Sequence, residues 1–145
     1  MLLLSIHPRH VDAILSGGKK VELRRRKPSV GNGPGLIYAT TPKKELAATF
    51  DIQGVTRTPL HLLWQMVRDV ACVTRKEFDA YFDGLETGVA IRLGKVEPLH
   101  APISLKALRT HWPGFQPPQG FRYLDEVEVS RVLKCERAFH TKRAA

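Results

Sequence analysis

The stretch AILSGGKKVELRRR, Ala13 to Arg26, changes its hydrophobic period halfway, and that change decides how the chain folds. Before it, in HPRHVDAIL, Pro8 stands at a first helical position and Val11, Ile14 and Leu15 share a face, which predicts a short helix closed by Gly17 or Gly18. After the glycines, Val21 and Leu23 alternate with Glu22, Arg24 and Arg26, which is the period of two that puts successive side chains on opposite faces of a strand. The basic cluster is therefore predicted to be a strand entered from a glycine turn.

Working outward, residues 1–6 form an apolar run suited to a buried strand, and KPSVGNGPG after the cluster reads as a loop. LIYAT (36–40) and ELAATFDIQGVT (45–56) read as strands, paired as a hairpin across TPKK, with Leu46, Ala48, Phe50 and Ile52 on one face and Gly54 at a bulge. From Thr58 the period becomes helical through Leu60, Leu63, Trp64, Val67, Val70 and Ala71, with Pro59 at the helix start. Thr74 and Glu77 have the spacing of a capping box, with Val73 and Phe78 as a hydrophobic staple, and the helix they open is expected to stop at Gly84. GVAIRLGKV (88–96) returns to strand, Ser104 caps a short helix, PGFQPPQG is a turn, and FRYL (121–124) is a strand. Asp125 caps a helix carrying Val129, Val132 and Leu133, although DEVEVS also alternates. Helices inserted between strands without regular βαβ alternation predict an α+β fold with a curled, mostly antiparallel sheet.

The 145 residues suit a single domain, expected over 1–136 and followed by a basic, frayed tail over 137–145. With 43% hydrophobic and 26% charged residues, the balance is that of a globular chain. The net charge is +9, and Lys19 to Lys27 holds six cations against Glu22. Such a local positive field favours polyanions, nucleic acid first. A membrane surface is not expected, because no amphipathic basic helix accompanies the cluster. MLLLSIHP has too short an apolar run for a secretory signal, so the expected location is cytoplasmic, with Cys72 and Cys135 as reduced, buried thiols. His7 and His10 stand three apart with no further ligand cluster, so no metal is expected, and nothing calls for a cofactor.

Lys19, Glu22 and Arg24 are the candidate ligand-binding residues. The last two lie two apart on one face of a strand, where guanidinium and carboxylate bond side by side, and Lys19 opens that strand. Such a trio suits an anion or the edge of a base. It is also what a solvated strand face carries when one glutamate relieves repulsion among its neighbours. Tyr38 and Thr40, on a strand expected to neighbour the motif, are candidates to stack on a base or bond to it, with core packing the alternative for Tyr38. Trp64, Phe78 and Phe82 are expected in the core, and Trp112 and Phe115 at a cleft rim. Arg9 and His10, in the first turn of the helix, and Arg25, Arg26 and Lys27 are candidate phosphate contacts, as are Arg137, Lys142 and Arg143 of the tail.

The run from Gly17 through Lys19 and Glu22 to Arg24 matches the pattern glycine, any, lysine, any two, glutamate, any, arginine, and so resembles the ASCH family of PUA-like folds. IYATTP, FDAYFDG and PPQGFRYL also look like ASCH sequences, so the resemblance covers most of the chain. It implies a PUA-like β pseudo-barrel with helices at its mouth and a cleft where the lysine, glutamate and arginine gather. It also implies a partner: PUA-like domains commonly bind RNA, and ASCH proteins include proposed RNA-binding or transcription-linked modules and some hydrolases, among them an amidohydrolase of acetylated cytidine and RNA-cleaving proteins. The amidohydrolase branch has a lysine, a threonine and a distant glutamate; Lys19 matches the lysine, but Glu22 stands in the threonine's place. The expected function is binding of RNA, or of a single nucleotide, in the Lys19, Glu22 and Arg24 cleft. The alternative is a small hydrolase of RNA or a modified nucleoside with Lys19 and Glu22 as catalytic residues, and a weaker one is a DNA-linked transcription regulator.

Overall fold

The computed structural model describes the backbone of residues 1–144 and the side chains of residues 1–138. The elements are β1 (Leu2–Ile6), α1 (Pro8–Leu15), β2 (Val21–Arg24), β3 (Gly33–Ala39), β4 (Glu45–Pro59), α2 (Leu60–Val67), α3 (Arg75–Tyr81), β5 (Thr87–Ser104), α4 (Leu105–His111), β6 (Phe121–Tyr123) and α5 (Glu126–Ala144). The strands form one curled half-barrel sheet in the order β2-β5-β4-β3-β1-β6. Among the described residues only β1 and β3 run parallel; the other pairings are antiparallel. The expected α+β class and the mostly antiparallel, curled sheet are what the chain adopts.

Strand alternation builds three cores among the described residues. In β1, Leu2, Leu4 and Ile6 enter the concave core with Ile37, Phe50, Val89 and Ile91, while Leu3 points the other way into a second core under α4 and α5. Both faces of β1 are thus covered, which is why its sequence is continuously apolar. A third core, of Val21, Leu23, Leu63, Val67, Phe78 and Phe82, seats α2 and α3 on β2 and β5. The sheet lets this layer approach closely at Gly88, where a Cβ would stand 2.6 Å from the Phe82 ring.

The β3–β4 hairpin forms as expected, and Gly54 lies at a register shift of the β4–β5 ladder. A further shift between Leu46 and Ala48 interrupts the face read as continuous: Leu46 packs in the second core, whereas Ala48, Phe50 and Ile52 pack in the first. An extra residue in one strand reverses the side from there on. β5 is longer than GVAIRLGKV, and α2 ends at Val67 instead of reaching Ala71. Thr74 Oγ1 accepts from the Glu77 N–H and Glu77 accepts from the Thr74 N–H, so the capping box opens α3. Ser104 caps α4, and Asp125 accepts from the Glu128 N–H at the start of α5. Helical backbone continues to Ala144, through the segment expected as a frayed tail; Val132 and Cys135 of α5 are anchored in the second core. Cys135 is buried, but Cys72 is exposed, in a turn at φ 54°, and both are free thiols. No helix among the described residues is long and apolar enough to cross a membrane.

Candidate functional site

β2 delivers Glu22 and Arg24 as its period requires, whereas Lys19, expected to open the strand, lies in the segment before it. Val21 and Leu23 point into the α2–α3 core, so Glu22 and Arg24 point the other way, into a cleft of ≈ 300 Å³. β1 supplies its floor at Ser5 and Ile6, the start of α1 supplies His7 and His10, and α3 supplies a wall that includes Phe78 and Tyr81. Tyr81 is fixed there by donating its hydroxyl to the Leu23 carbonyl at 3.2 Å.

Lys19 and Glu22 are buried, at 2% and 5% exposure, which removes the solvated-face reading of the trio. The Lys19 Nζ donates to the Ala71 carbonyl at 2.5 Å, tying the glycine turn to the end of the α2 segment. Burial pushes the Lys19 ammonium below its ordinary range, and the nearby Glu22 carboxylate opposes that shift. Arg24 donates to Glu22 Oε1 at 3.1 Å, to the Leu23 carbonyl at 3.2 Å and to the Ser5 carbonyl at 2.9 Å, so the guanidinium is locked in place. Three buried polar atoms lack a partner among the described residues: Ser5 Oγ, Glu22 Oε2 and Arg24 Nε. All three belong to residues that line this cleft.

His10 lies beside them. Its pKa is lowered to about 4, first by burial, then by the charges of Lys19 and Arg9, so the ring is neutral at pH 7. Arg9 contacts His10 Nε2 at 3.3 Å; a guanidinium only donates, so Nε2 accepts and the ring proton sits on Nδ1. Because the folded state resists protonating His10, this group costs stability as pH falls from about 6.5 toward about 4. A proton NMR titration is expected to give His10 a midpoint of about 4. Lys19→Ala should raise that midpoint while leaving it below 6.5, since burial is the larger cause. A wild-type midpoint at 6.5 would mean that the ring is solvated and outside the cleft.

Arg9 does not stand free for phosphate. It pairs with Glu77 at 2.5 Å and joins α1 to α3 across the mouth, and this bond holds the Glu77 carboxyl down at about 2. Tyr38 is corrected: its ring is 2% exposed in the second core, edge-on to Phe115. Thr40 follows β3, its N–H bonded to the Ile6 carbonyl, and its side chain does not line the cleft. Both expectations rested on β3 neighbouring the motif strand, but β5 and β4 stand between β2 and β3. Trp112 and Phe115 are likewise core residues and not a rim, whereas Phe78 is core and cleft wall together. Arg25 and Arg26 line a groove next to the cleft, and Lys27 is exposed beyond them. Arg137 lies on α5, and the side chains of Lys142 and Arg143 fall outside the described residues. Sequence reasoning did not find Ser5, Tyr81 or Glu77 as parts of the site, because no local pattern marks them.

The ASCH domain model matches residues 4–99. An ASCH domain-containing ribonuclease from Zymomonas mobilis is 30% identical over 132 residues, covering 90% of this chain and 88% of the relative. The crystal structure of ASCH from Zymomonas mobilis superposes with a TM-score of 0.85 at 30% identity, over 92% of this chain and 93% of that one. The N-terminal domain of Staphylothermus marinus McrB shares the fold, with a TM-score of 0.57 at 11% identity over 92% of each chain. With the motif strand, the cleft and these similarities in agreement, the chain belongs to the ASCH domain family.

Proposed function

We propose that the protein acts on RNA and holds one unpaired nucleotide in the cleft between β2, α1 and α3. The observation that carries this reading is that Ser5, Glu22 and Arg24, which line one small cleft, each hold a buried side-chain atom without a partner among the described residues: Ser5 Oγ, Glu22 Oε2 and Arg24 Nε. Buried polar atoms are nearly always bonded, so a group of them on residues that line one space marks where a polar ligand completes the bonding. A carboxylate acceptor, a guanidinium donor and a hydroxyl that does both suit the edge of a base, while the half-buried Val73 and Tyr81 offer apolar surface to its faces. The volume, ≈ 300 Å³, is at the lower end for ligand sites and admits a nucleoside, not a duplex.

Cleavage is the second reading, favoured by the similarity to a protein named as a ribonuclease and by the chemistry of Lys19 and Glu22. In that reading Glu22 Oε2 takes the proton of a ribose 2′-hydroxyl as its oxygen attacks the adjacent phosphorus. The P–O5′ bond breaks, and the Lys19 ammonium, its pKa lowered by burial, gives a proton to the departing 5′-oxygen. The products carry a 2′,3′-cyclic phosphate and a 5′-hydroxyl; Glu22 then gives its proton to solvent and Lys19 takes one from solvent, which restores both groups.

Single-stranded RNA, single-stranded DNA and ribonucleosides, incubated with wild type and Glu22→Gln, test both readings. Wild type is expected to bind RNA, and Glu22→Gln to bind it more weakly by about 10-fold, since a charged acceptor becomes a neutral one. If products form, general-base loss should slow their formation by about 100-fold or more. Binding without product would remove the cleavage reading, and no binding to any of the three would overturn the proposal.

A further inference from the structure

Beside the cleft lies a second groove, of ≈ 310 Å³, between the end of β2 and the turn before β6. It shares Arg24 and Tyr81 with the cleft, so the two spaces adjoin across those residues. Its two walls have the same construction. On one, Arg25 lies over the Tyr81 ring at 4.8 Å and donates Nε to the Tyr81 carbonyl at 2.6 Å. On the other, Arg26 lies over the Phe121 ring at 5.6 Å. Consecutive residues just past a strand thus send their guanidinium groups to opposite sides, each held against an aromatic face. Arg9, Arg24, Arg75 and Arg122 are all paired with carboxylates, whereas neither Arg25 nor Arg26 forms an ion pair among the described residues. The groove is therefore positive without internal compensation. Gln119 adds an amide that both donates and accepts.

We infer that this groove is a second nucleotide subsite, and that the ligand is a single strand of at least two nucleotides rather than a free nucleoside. The inference rests on the cleft holding a nucleotide, and extends it. Arg24, which lines both spaces, stands where the two nucleotides meet. Arg25 and Arg26 hold the phosphate that joins the nucleotides or the next, and their exposed faces stack on the second base, as guanidinium planes do in single-strand recognition. A duplex is excluded, because two neighbouring pockets of one-nucleoside size need bases unpaired and splayed apart.

Calorimetric titration with the four ribonucleosides and with the dinucleoside monophosphates ApA, CpC, GpG and UpU separates this subsite from the cleft. The dinucleotide of the preferred base is expected to bind at least about 10-fold tighter than its nucleoside, the excess falling with salt as expected for a phosphate contact. Arg26→Ala should reduce that advantage to about 2-fold and leave nucleoside affinity as it is, and Arg26→Lys should restore part of it. Equal binding of nucleoside and dinucleotide by wild type, or a full advantage in Arg26→Ala, would overturn the subsite while leaving the cleft reading intact. Loss of binding to nucleosides and dinucleotides alike in wild type would overturn both. A thermal melt of Arg26→Ala within a few degrees of wild type shows that the comparison is made on folded protein.

Discussion

Lys19→Ala is expected to remove nucleotide binding in the cleft, with a loss of affinity of about 10- to 100-fold. Lys19 is 2% exposed and is the cationic neighbour of Glu22 besides Arg24, so without it a buried carboxylate faces the ligand with less compensation. A hydrogen bond to a charged group contributes about 1.5–3 kcal/mol, and each 1.4 kcal/mol is tenfold in affinity. The same change removes the bond from Nζ to the Ala71 carbonyl, so it also loosens the glycine turn from the α2 segment. Lys19→Met separates these effects. Its stem preserves packing, so it should melt closer to wild type than Lys19→Ala does, yet bind RNA no better. Anisotropy titrations beside thermal melts measure the split. Full affinity in both variants would show that the buried lysine serves only the fold.

Phe78→Ala should give the largest loss of stability, about 3–5 kcal/mol, the usual cost of deleting a buried aromatic ring and leaving its cavity. Phe78 is 1% exposed, lies 5.1 Å from the Trp64 ring and 4.8 Å from the Phe82 ring, and holds α3 on the layer that β2 supports. For a chain of this size the melting temperature should fall by roughly 6–20 °C. Val127→Ala, on a residue 64% exposed, is the control and should stay within about 0.5 kcal/mol of wild type. Phe78 also lines the cleft, so the variant is expected to bind RNA more weakly even where it is fully folded. Urea unfolding measures the first effect; a loss below about 1 kcal/mol would mean that α3 is not anchored by this ring.

The local pattern carried a good deal of both fold and site. The switch of period after Gly18 gave the strand of the motif, and with it the pairing of Glu22 and Arg24 on one face, bonded at 3.1 Å. The capping box at Thr74 and Glu77, the cap at Ser104 and the bulge at Gly54 are equally short-range devices, and each is where the sequence puts it. Tyr38 and Thr40 show where this reasoning stops. Strand propensity makes LIYAT a strand, but strand order depends on which distant segments pair. Here β5, from far along the chain, takes the place beside β2. Leu46 shows a second limit: a bulge moves a residue to the other face, and its position is set by the partner strands.

The sequence by itself determined the order and type of most elements, the α+β class and the candidate trio of Lys19, Glu22 and Arg24, because those follow from periodicity, caps and spacing within a few residues. Tertiary structure alone decided that the trio is buried, that Ser5, His10, Phe78 and Tyr81 enclose it, that Arg9 is taken by Glu77, and that Arg25 and Arg26 line a groove of their own. Burial and enclosure come from contacts between segments distant in sequence, and those contacts turn a basic strand into a candidate site by removing water from its charges.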